Sequence, residues 1–135
     1  MEKKLQIAYI NKNEIKANEF KAILEKNGYE VNASNKSINE NEVCLLLFYK
    51  GITLEDIFND IPWLKSQNEK STIPYLRLFP IFLFDNKEEM ETDIEEYLPI
   101  LESLMSGEFK PYGFILNDKN SIIEFNRILE ESYNE

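Results

Sequence analysis

The sequence predicts one α/β domain built on a parallel sheet of five strands. Short apolar and β-branched runs alternate along the chain with longer amphipathic segments, which is the pattern of strands joined by crossover helices. The chain has 135 residues, 43% of them hydrophobic, which is typical of one globular domain. With only 4 glycines and 5 prolines, no flexible linker is indicated. Residues 1–135 are therefore interpreted as a single domain.

The first strand, the first helix and the second strand are predicted near the N-terminus. LQIAYI at 5–10 is the first strand. Asn13 is placed to cap the following helix and Gly28 to end it, after which YEV at 29–31 forms a short second strand. The helix is expected to bury residues at helical spacing: Ala17, Phe20, Ile23 and Leu24.

The centre of the sheet is predicted at VCLLLFY, residues 43–49, because this run is apolar on both faces. Its cysteine, Cys44, is interpreted as a small buried hydrophobe. The preceding stretch at 32–41 is rich in asparagine and is expected to form a loop without a helix. Thr53 and Asp56 indicate the start of the next helix.

Two further strands complete the predicted sheet, LRLFPIFLF at 76–84 and YGFIL at 112–116. Pro80 cannot donate a ladder hydrogen bond, so it is expected near the start of its strand or at an unpaired position. With right-handed crossovers, five such strands favour a doubly wound, flavodoxin-like sheet in the order 2-1-3-4-5.

Two capping boxes predict where the last helices begin. Thr92 with Glu95 opens one helix, and Pro99 is expected to kink or split it. Ser121 with Glu124 opens the final helix. The final helix is expected to bury Ile122, Phe125 and Leu129.

Composition excludes several classes of function. The net charge of −10 disfavours binding to nucleic acid or to anionic membranes, since both require a basic surface. The absence of histidine excludes Ser-His and Cys-His catalysis and disfavours a transition-metal site, so no metal is expected. No glycine-rich phosphate loop is present. The N-terminal residues indicate a strand rather than a signal peptide, and a cytoplasmic location is expected.

The order of several short motifs resembles that of a TIR (Toll/interleukin-1 receptor) domain. IAYINKNEIKANEFKAILEKNGYEV at 7–31 is similar to the first strand, helix and second strand of that family. VCLLLFY resembles its third strand, and LFPIFLFD at 78–85 resembles its fourth. A response-regulator receiver is disfavoured, because Asn11 follows the first strand and Tyr49 ends the third, where that family has aspartates.

The resemblance implies a site for NAD as substrate, with a glutamate in a W-C-x-x-E-L motif after the third strand. The corresponding run here is WLKSQN, which begins at Trp63 and puts Gln67 at the glutamate position. An amide stabilises the oxocarbenium-like cation of nicotinamide release far less well than a carboxylate. Glu69 or Glu55 is the alternative for this role, and Tyr9 and Trp63 are expected to face the pocket.

The leading hypothesis is therefore a TIR-like signalling or interaction module of a bacterial defence type, with weak or absent NAD-cleaving chemistry and no cofactor. The alternative is an NAD glycohydrolase or related nucleotide-processing enzyme. Since only 32–41 separates the second strand from the third, the pocket wall that the family usually builds there is expected to be reduced. The expected partner is another protein, either basic or TIR-like, in a homo- or hetero-oligomer.

The segment 85–102 carries eight carboxylates against one lysine. Such a stretch is either a solvated helix face or a docking surface for a basic partner. Glu88, Glu89 and Glu91 are the candidate partner-binding residues.

Overall fold

The computed structural model describes residues 4–33, 43–61, 78–92, 95, 99 and 112–133. The predicted loop beyond residue 33 and the predicted site residues Trp63, Gln67 and Glu69 lie outside the described residues.

Strands and helices alternate through the described chain. In chain order, the elements are β1 (Lys4–Ala8), a 3-10 turn (Asn11–Asn13), α1 (Glu14–Lys26), β2 (Glu30–Ala33), β3 (Val43–Phe48), α2 (Leu54–Asp60), β4 (Leu78–Phe84), α3 (87–92), β5 (Tyr112–Ile115) and α4 (Lys119–Tyr133). Residues 95 and 99 are also helical.

The five strands form one parallel sheet in the order β2-β1-β3-β4-β5. This is the predicted order and is consistent with a flavodoxin-like fold. β3 lies at the centre, where Leu45 pairs with Ile7 of β1 on one side and with Phe79 of β4 on the other. All six residues of β3 are buried, as the absence of polar alternation predicted.

Each face of the sheet has its own hydrophobic layer. α1 and α4 cover one face through Phe20 and Phe125, whose rings contact each other edge to face. α2 covers the other face through Ile57, and Met90 of α3 packs against the same layer. Helices therefore lie on both faces, which is the doubly wound arrangement. Cys44 is fully buried in the second layer, as predicted.

Two of the predicted helix boundaries are confirmed. Gly28 follows α1 with φ +90°, a conformation that glycine adopts without steric cost. Thr53 caps α2, since its side chain accepts a hydrogen bond from Asp56 N and the Asp56 carboxylate accepts one from Thr53 N. Asn13 does precede α1, but its side chain makes no capping hydrogen bond, because a 3-10 turn leads into the helix there.

The predicted start of α3 at Thr92 is wrong. The helix already includes residue 87, and Asn86 caps it by accepting a hydrogen bond from Glu89 N at 2.9 Å. Thr92 lies inside the helix, where its hydroxyl donates to Glu88 O. An asparagine directly after β4 satisfies the free amides first, so the helix begins before the threonine.

The predicted start of α4 at Ser121 is also wrong. The helix begins at Lys119, and the Asp118 carboxylate accepts a hydrogen bond from Asn120 N at 2.9 Å. The Ser121 hydroxyl instead accepts a hydrogen bond from Ile115 N in β5 at 3.1 Å. The predicted burial of Phe125 and Leu129 is confirmed.

Pro80 is the third residue of β4, and the pairing of β4 with β5 begins one residue later, at Ile81 and Tyr112. Phe84 O accepts from Leu116 N on the β5 side. Because residues alternate in the side to which they bond, Pro80 directs its nitrogen to that same side. Its missing N–H therefore falls ahead of the first β4–β5 pair, in agreement with the prediction.

Candidate functional site

Parallel α/β domains usually bind ligands at the carboxyl ends of their strands, in the crevice where the strand order reverses. Here the reversal lies between β1 and β3, because β2 pairs on the far side of β1 and β4 on the far side of β3. We call the gap between residues 9–13 and residues 49–60 the switch crevice. A ligand site of the usual kind would lie there.

The switch crevice is bridged by the chain's own polar groups. Lys12 Nζ lies 2.6 Å from Gly51 O and 2.8 Å from the Asp56 carboxylate. Asn11 N donates to Asp60 Oδ2 at 2.9 Å. Gly51 has φ +85°, which turns its carbonyl within reach of the lysine without steric cost. These contacts join the turn after β1 directly to the turn after β3 and to α2.

The electrostatics of this bridge favour the charged form of Asp56. Hydrogen bonds from Lys12 and from Thr53 lower the pKa of the Asp56 carboxyl. The Asp56 carboxylate therefore accepts two hydrogen bonds, one from Lys12 Nζ across the crevice and one from Thr53 N at the start of α2. The Nδ2 atom of Asn13, on the same turn as Lys12, is buried without a hydrogen-bond partner among the described residues.

The predicted site residues within the described chain do not converge in the switch crevice. Tyr9 follows β1 directly and packs against the hydrophobic layer beneath α1 and α4. Glu55 lies in the first turn of α2 and is exposed. Its neighbour Asp56 faces the crevice instead.

A second polar cluster joins α1 to the ends of β3 and β4. We call Lys16, Tyr49, Lys50, Asp85 and Glu89 the edge network. The Asp85 carboxylate accepts from the Tyr49 hydroxyl at 2.5 Å and lies 2.8 Å from Lys16 Nζ and 3.6 Å from Lys50 Nζ. Lys50 also pairs with Glu89 at 3.0 Å, and Glu89 accepts from Asp85 N at 3.0 Å.

Two ammonium groups lie close to one aromatic ring in this network. Lys16 Nζ is 5.7 Å and Lys50 Nζ is 5.5 Å from the centre of the Tyr49 ring, within cation–π distance. The negative face of the ring and the carboxylate of Asp85 together compensate the two positive charges. The edge network is therefore held by both ionic and aromatic contacts.

The pKa shifts follow from this geometry. Burial would raise the pKa of Asp85, but hydrogen bonds from Lys16 and Tyr49 and the charges of the lysines outweigh it, so the pKa is lowered. The hydrogen bond to Asp85 raises the pKa of Lys16. Burial, followed by the hydrogen bond to Asp85, raises the pKa of Tyr49. At neutral pH the network thus holds a carboxylate, ammonium groups and a protonated phenol.

The acidic segment of α3 divides into inward and outward carboxylates. Glu89 is largely covered and is engaged by Lys50 and by Asp85 N. Glu88 and Glu91 on α3 are exposed, and so is Glu95, a helical residue beyond the described end of α3; we call these three the acidic face of α3. At about 100° per residue, Glu88 and Glu91 lie about 60° apart around the axis of α3.

An open groove of about 300 Å³ lies beside β5, the edge strand of the sheet. We call it the β5 groove. Met90 packs so closely over β5 that a Cβ at Gly113 would lie 2.8 Å from its sulfur. The groove is lined by residues of α3, β5 and the start of α4, including Lys87, Met90, Tyr112, Gly113, Asp118 and Glu124.

Two further kinds of feature are absent from the described part of the chain. No helix there is long and apolar enough to cross a membrane. Nor do three or more cysteine, aspartate or glutamate side chains of those residues converge in a way that could hold a metal ion.

The sequence did not indicate the two polar clusters, because their partners are far apart in the chain. Asp60 lies 49 residues from Asn11, and Glu89 lies 39 residues from Lys50. One signal was available. Lys50 follows β3 almost at once and Asp85 follows β4 directly, and charges at the carboxyl ends of neighbouring parallel strands meet at one edge.

Comparison of the chain with protein-family models, with curated proteins and with solved structures gives no match.

Proposed function

We propose that this domain is a TIR-like protein-interaction module in signalling or defence, and that it has weak or absent NAD-cleaving chemistry. The observation that carries the proposal is the bridged switch crevice. Lys12 spans the crevice and contacts Gly51 O and Asp56. Polar groups of the domain itself therefore occupy the place where such folds usually bind a ligand. The arrangement favours a role for the outer surface of the domain over a role for an internal pocket.

The acidic face of α3 is the surface proposed for docking. Glu88 and Glu91 are exposed on α3 and Glu95 is exposed beyond its described end, in a chain whose net charge is −10. Clustered charge of one sign accelerates encounter with a partner of opposite sign and suppresses wrong partners. The proposed partner is a different protein with a basic surface, in a hetero-oligomer. Glu89 is left out of the docking set because Lys50 already neutralises it.

The alternative function, an NAD glycohydrolase that uses Glu55 or Glu69, receives less support. Glu55 is exposed on α2, while the carboxylate that does face the crevice, Asp56, is held by Lys12. A nucleotide would have to displace that ion pair before a carboxylate could approach its ribose. Glu69 lies outside the described residues.

A charge-reversal experiment tests the proposed docking surface. Immobilised wild-type protein would first capture a partner from its source cell, and the association rate of the purified partner would then be measured by surface plasmon resonance. We expect Glu88→Lys, Glu91→Lys and Glu95→Lys together to slow association by about tenfold or more at low salt. The difference from wild type should shrink at high salt, which screens surface charge.

A control variant has the same change in net charge elsewhere on the domain. Glu25, Glu30 and Glu130 are exposed and lie on other elements, so their reversal to lysine should affect association much less. Equal effects of the two triple variants, or no effect of either, would contradict docking through the acidic face of α3.

A further inference from the structure

In the edge strand β5, the backbone N–H and C=O of Gly113 make no hydrogen bond to any described residue. Leu116 N donates to Phe84 O, so residues 112, 114 and 116 direct their backbone groups toward β4. Gly113 and Ile115, at the alternate positions, direct theirs toward the open edge. The Ser121 hydroxyl binds Ile115 N at 3.1 Å. No such contact is present at Gly113 within the described residues.

The space beside this backbone unit is open. The β5 groove of about 300 Å³ runs along Tyr112, Gly113 and Ile115 and is walled by α3 on one side and by the start of α4 on the other. Gly113 has no side chain to obstruct an approaching backbone. An unpaired strand edge with access is the arrangement to which extended peptides add as a further strand.

The charges around the β5 groove indicate the chemistry of the incoming segment. Asp118 lines the groove at the α4 side, and so does Glu124, whose carboxylate is paired with Arg127. On α3, Lys87 lines the groove, and Glu91 lies four residues on, about 40° around the helix. The acidic face of α3 therefore continues from the rim of the groove. A basic segment is complementary to Asp118 and to the acidic face of α3, whereas an acidic segment, or a second copy of a chain of charge −10, is repelled.

We propose that the β5 groove binds an extended, basic segment of a partner protein, which adds to the sheet beside β5 through the N–H and C=O of Gly113. The proposal rests on the proposed function and deepens it by naming the partner's conformation and its contact. Because the edge is short and Ser121 already caps Ile115, the backbone contact is limited to few hydrogen bonds. The affinity for an isolated peptide should then be modest.

The test uses wild-type protein and a defined probe. The probe is an acetylated and amidated peptide, Lys-Val-Thr-Val-Thr-Val-Lys, titrated into protein labelled with ¹⁵N at glycine only. The chain has 4 glycines, so few signals need assignment. We expect the Gly113 amide signal to shift saturably, while Gly28 and Gly51, which lie on other turns, stay unchanged. At a peptide concentration ten times the dissociation constant, hydrogen exchange at Gly113 should slow by about tenfold.

Two control peptides separate backbone pairing from charge. Methylation of the five central amides keeps the side chains and the charge but removes the donors, and it should abolish the shift at Gly113. A Gly113 signal that does not respond to the unmodified peptide, or that responds equally to the methylated one, would overturn strand addition.

The other control replaces both lysines by glutamate and should bind at least several-fold more weakly at low salt. Equal binding of the lysine and glutamate peptides would overturn the basic character of the segment and, with it, the acidic docking surface of the proposed function. A silent Gly113 combined with an intact effect of the triple reversal on α3 would overturn strand addition alone.

Discussion

The switch crevice and the β5 groove lie beside the same sheet but differ in what fills them. In the crevice, Lys12 reaches across to Gly51 O and Asp56, so polar groups of the chain bind each other. In the groove, the backbone of Gly113 faces open space. Doubly wound domains most often use the crevice for ligands. The proposed partner site of this molecule therefore lies at the outer edge of the sheet and not in the crevice.

The edge network strengthens this contrast. It fastens α1 to the ends of β3 and β4 through Asp85, which accepts from Tyr49 and pairs with Lys16. It also fixes the start of α3 through Lys50 and Glu89. The start of α3 is thus attached to the carboxyl ends of β3 and β4 through the pair of Lys50 and Glu89. Lys87 and Met90 of the same helix border the β5 groove.

The largest effect is expected from Asp85→Asn. The amide cannot neutralise Lys16 and Lys50, whose remaining carboxylate partners are then Glu19 at 3.5 Å and Glu89 at 3.0 Å. We expect the free energy of unfolding to fall by about 1.5–3 kcal/mol, the usual range for a hydrogen bond to a charged group. Urea unfolding followed by circular dichroism measures it. Glu88→Gln, at an exposed position nearby, should change stability by less than about 0.5 kcal/mol.

The same variant tests the pH dependence of stability. Because the pKa of Asp85 is lower in the folded protein, the unfolded chain binds more protons at acid pH. The contribution of Asp85 is therefore present above its unfolded pKa of about 3.9 and is lost as the pH falls through its folded pKa. In Asp85→Asn, the free energy of unfolding should therefore decrease less steeply than in wild type as the pH falls below about 5. An acid limb identical to that of wild type would contradict a charged Asp85 at the centre of the network.

A smaller difference in stability is expected between the alanine variants of Lys12, in the switch crevice, and Lys87, at the β5 groove. Lys12→Ala removes the bridge across the switch crevice, and we expect a loss of about 0.5–1 kcal/mol, since both partners are partly exposed. Lys87→Ala, at the rim of the β5 groove, should change stability by less than about 0.5 kcal/mol. Thermal and urea unfolding of the two variants give the comparison. Equal losses would mean that the bridge does not hold the crevice closed.

The sequence was informative wherever one local pattern decides the structure. The apolar run at β3 predicted a central strand buried on both faces, and Gly28 predicted the end of α1. These features depend on a few neighbouring residues, and the five strands in turn leave few allowed topologies. The strand order could therefore be predicted before any contact was known.

The sequence was misleading where two local signals compete. Thr92 and Ser121 both begin a capping-box pattern, yet each lies inside its helix. The true starts are at Asn86 and Asp118, which come soon after a strand and bind the first free amides. A threonine or serine three residues before a glutamate is common on helix surfaces, so the pattern alone does not locate a helix start.

The polar clusters depended on contacts that no local pattern contains. The sequence grouped Glu89 with Glu88 and Glu91 as one acidic surface, whereas the fold turns Glu89 toward Lys50. Helix phase separates them: Glu89 lies about 100° from Glu88 around the axis. Which of the two phases faces the protein becomes known only when the helix is docked on the sheet.

The smallest effect is expected in an assay for NAD cleavage. Purified protein incubated with NAD should release no more nicotinamide than a buffer blank, as measured by liquid chromatography. The physical reason is that Lys12 holds Asp56 across the crevice and Glu55 points to solvent, so no described carboxylate is free to approach a ribose there. Lys12→Ala removes the bridge but supplies no correctly placed carboxylate, and it should remain inactive as well.

Turnover by wild type that is lost in Glu55→Ala or Glu69→Ala would reverse the order of the two proposed functions. Turnover that survives both substitutions would place a catalytic site elsewhere in the chain.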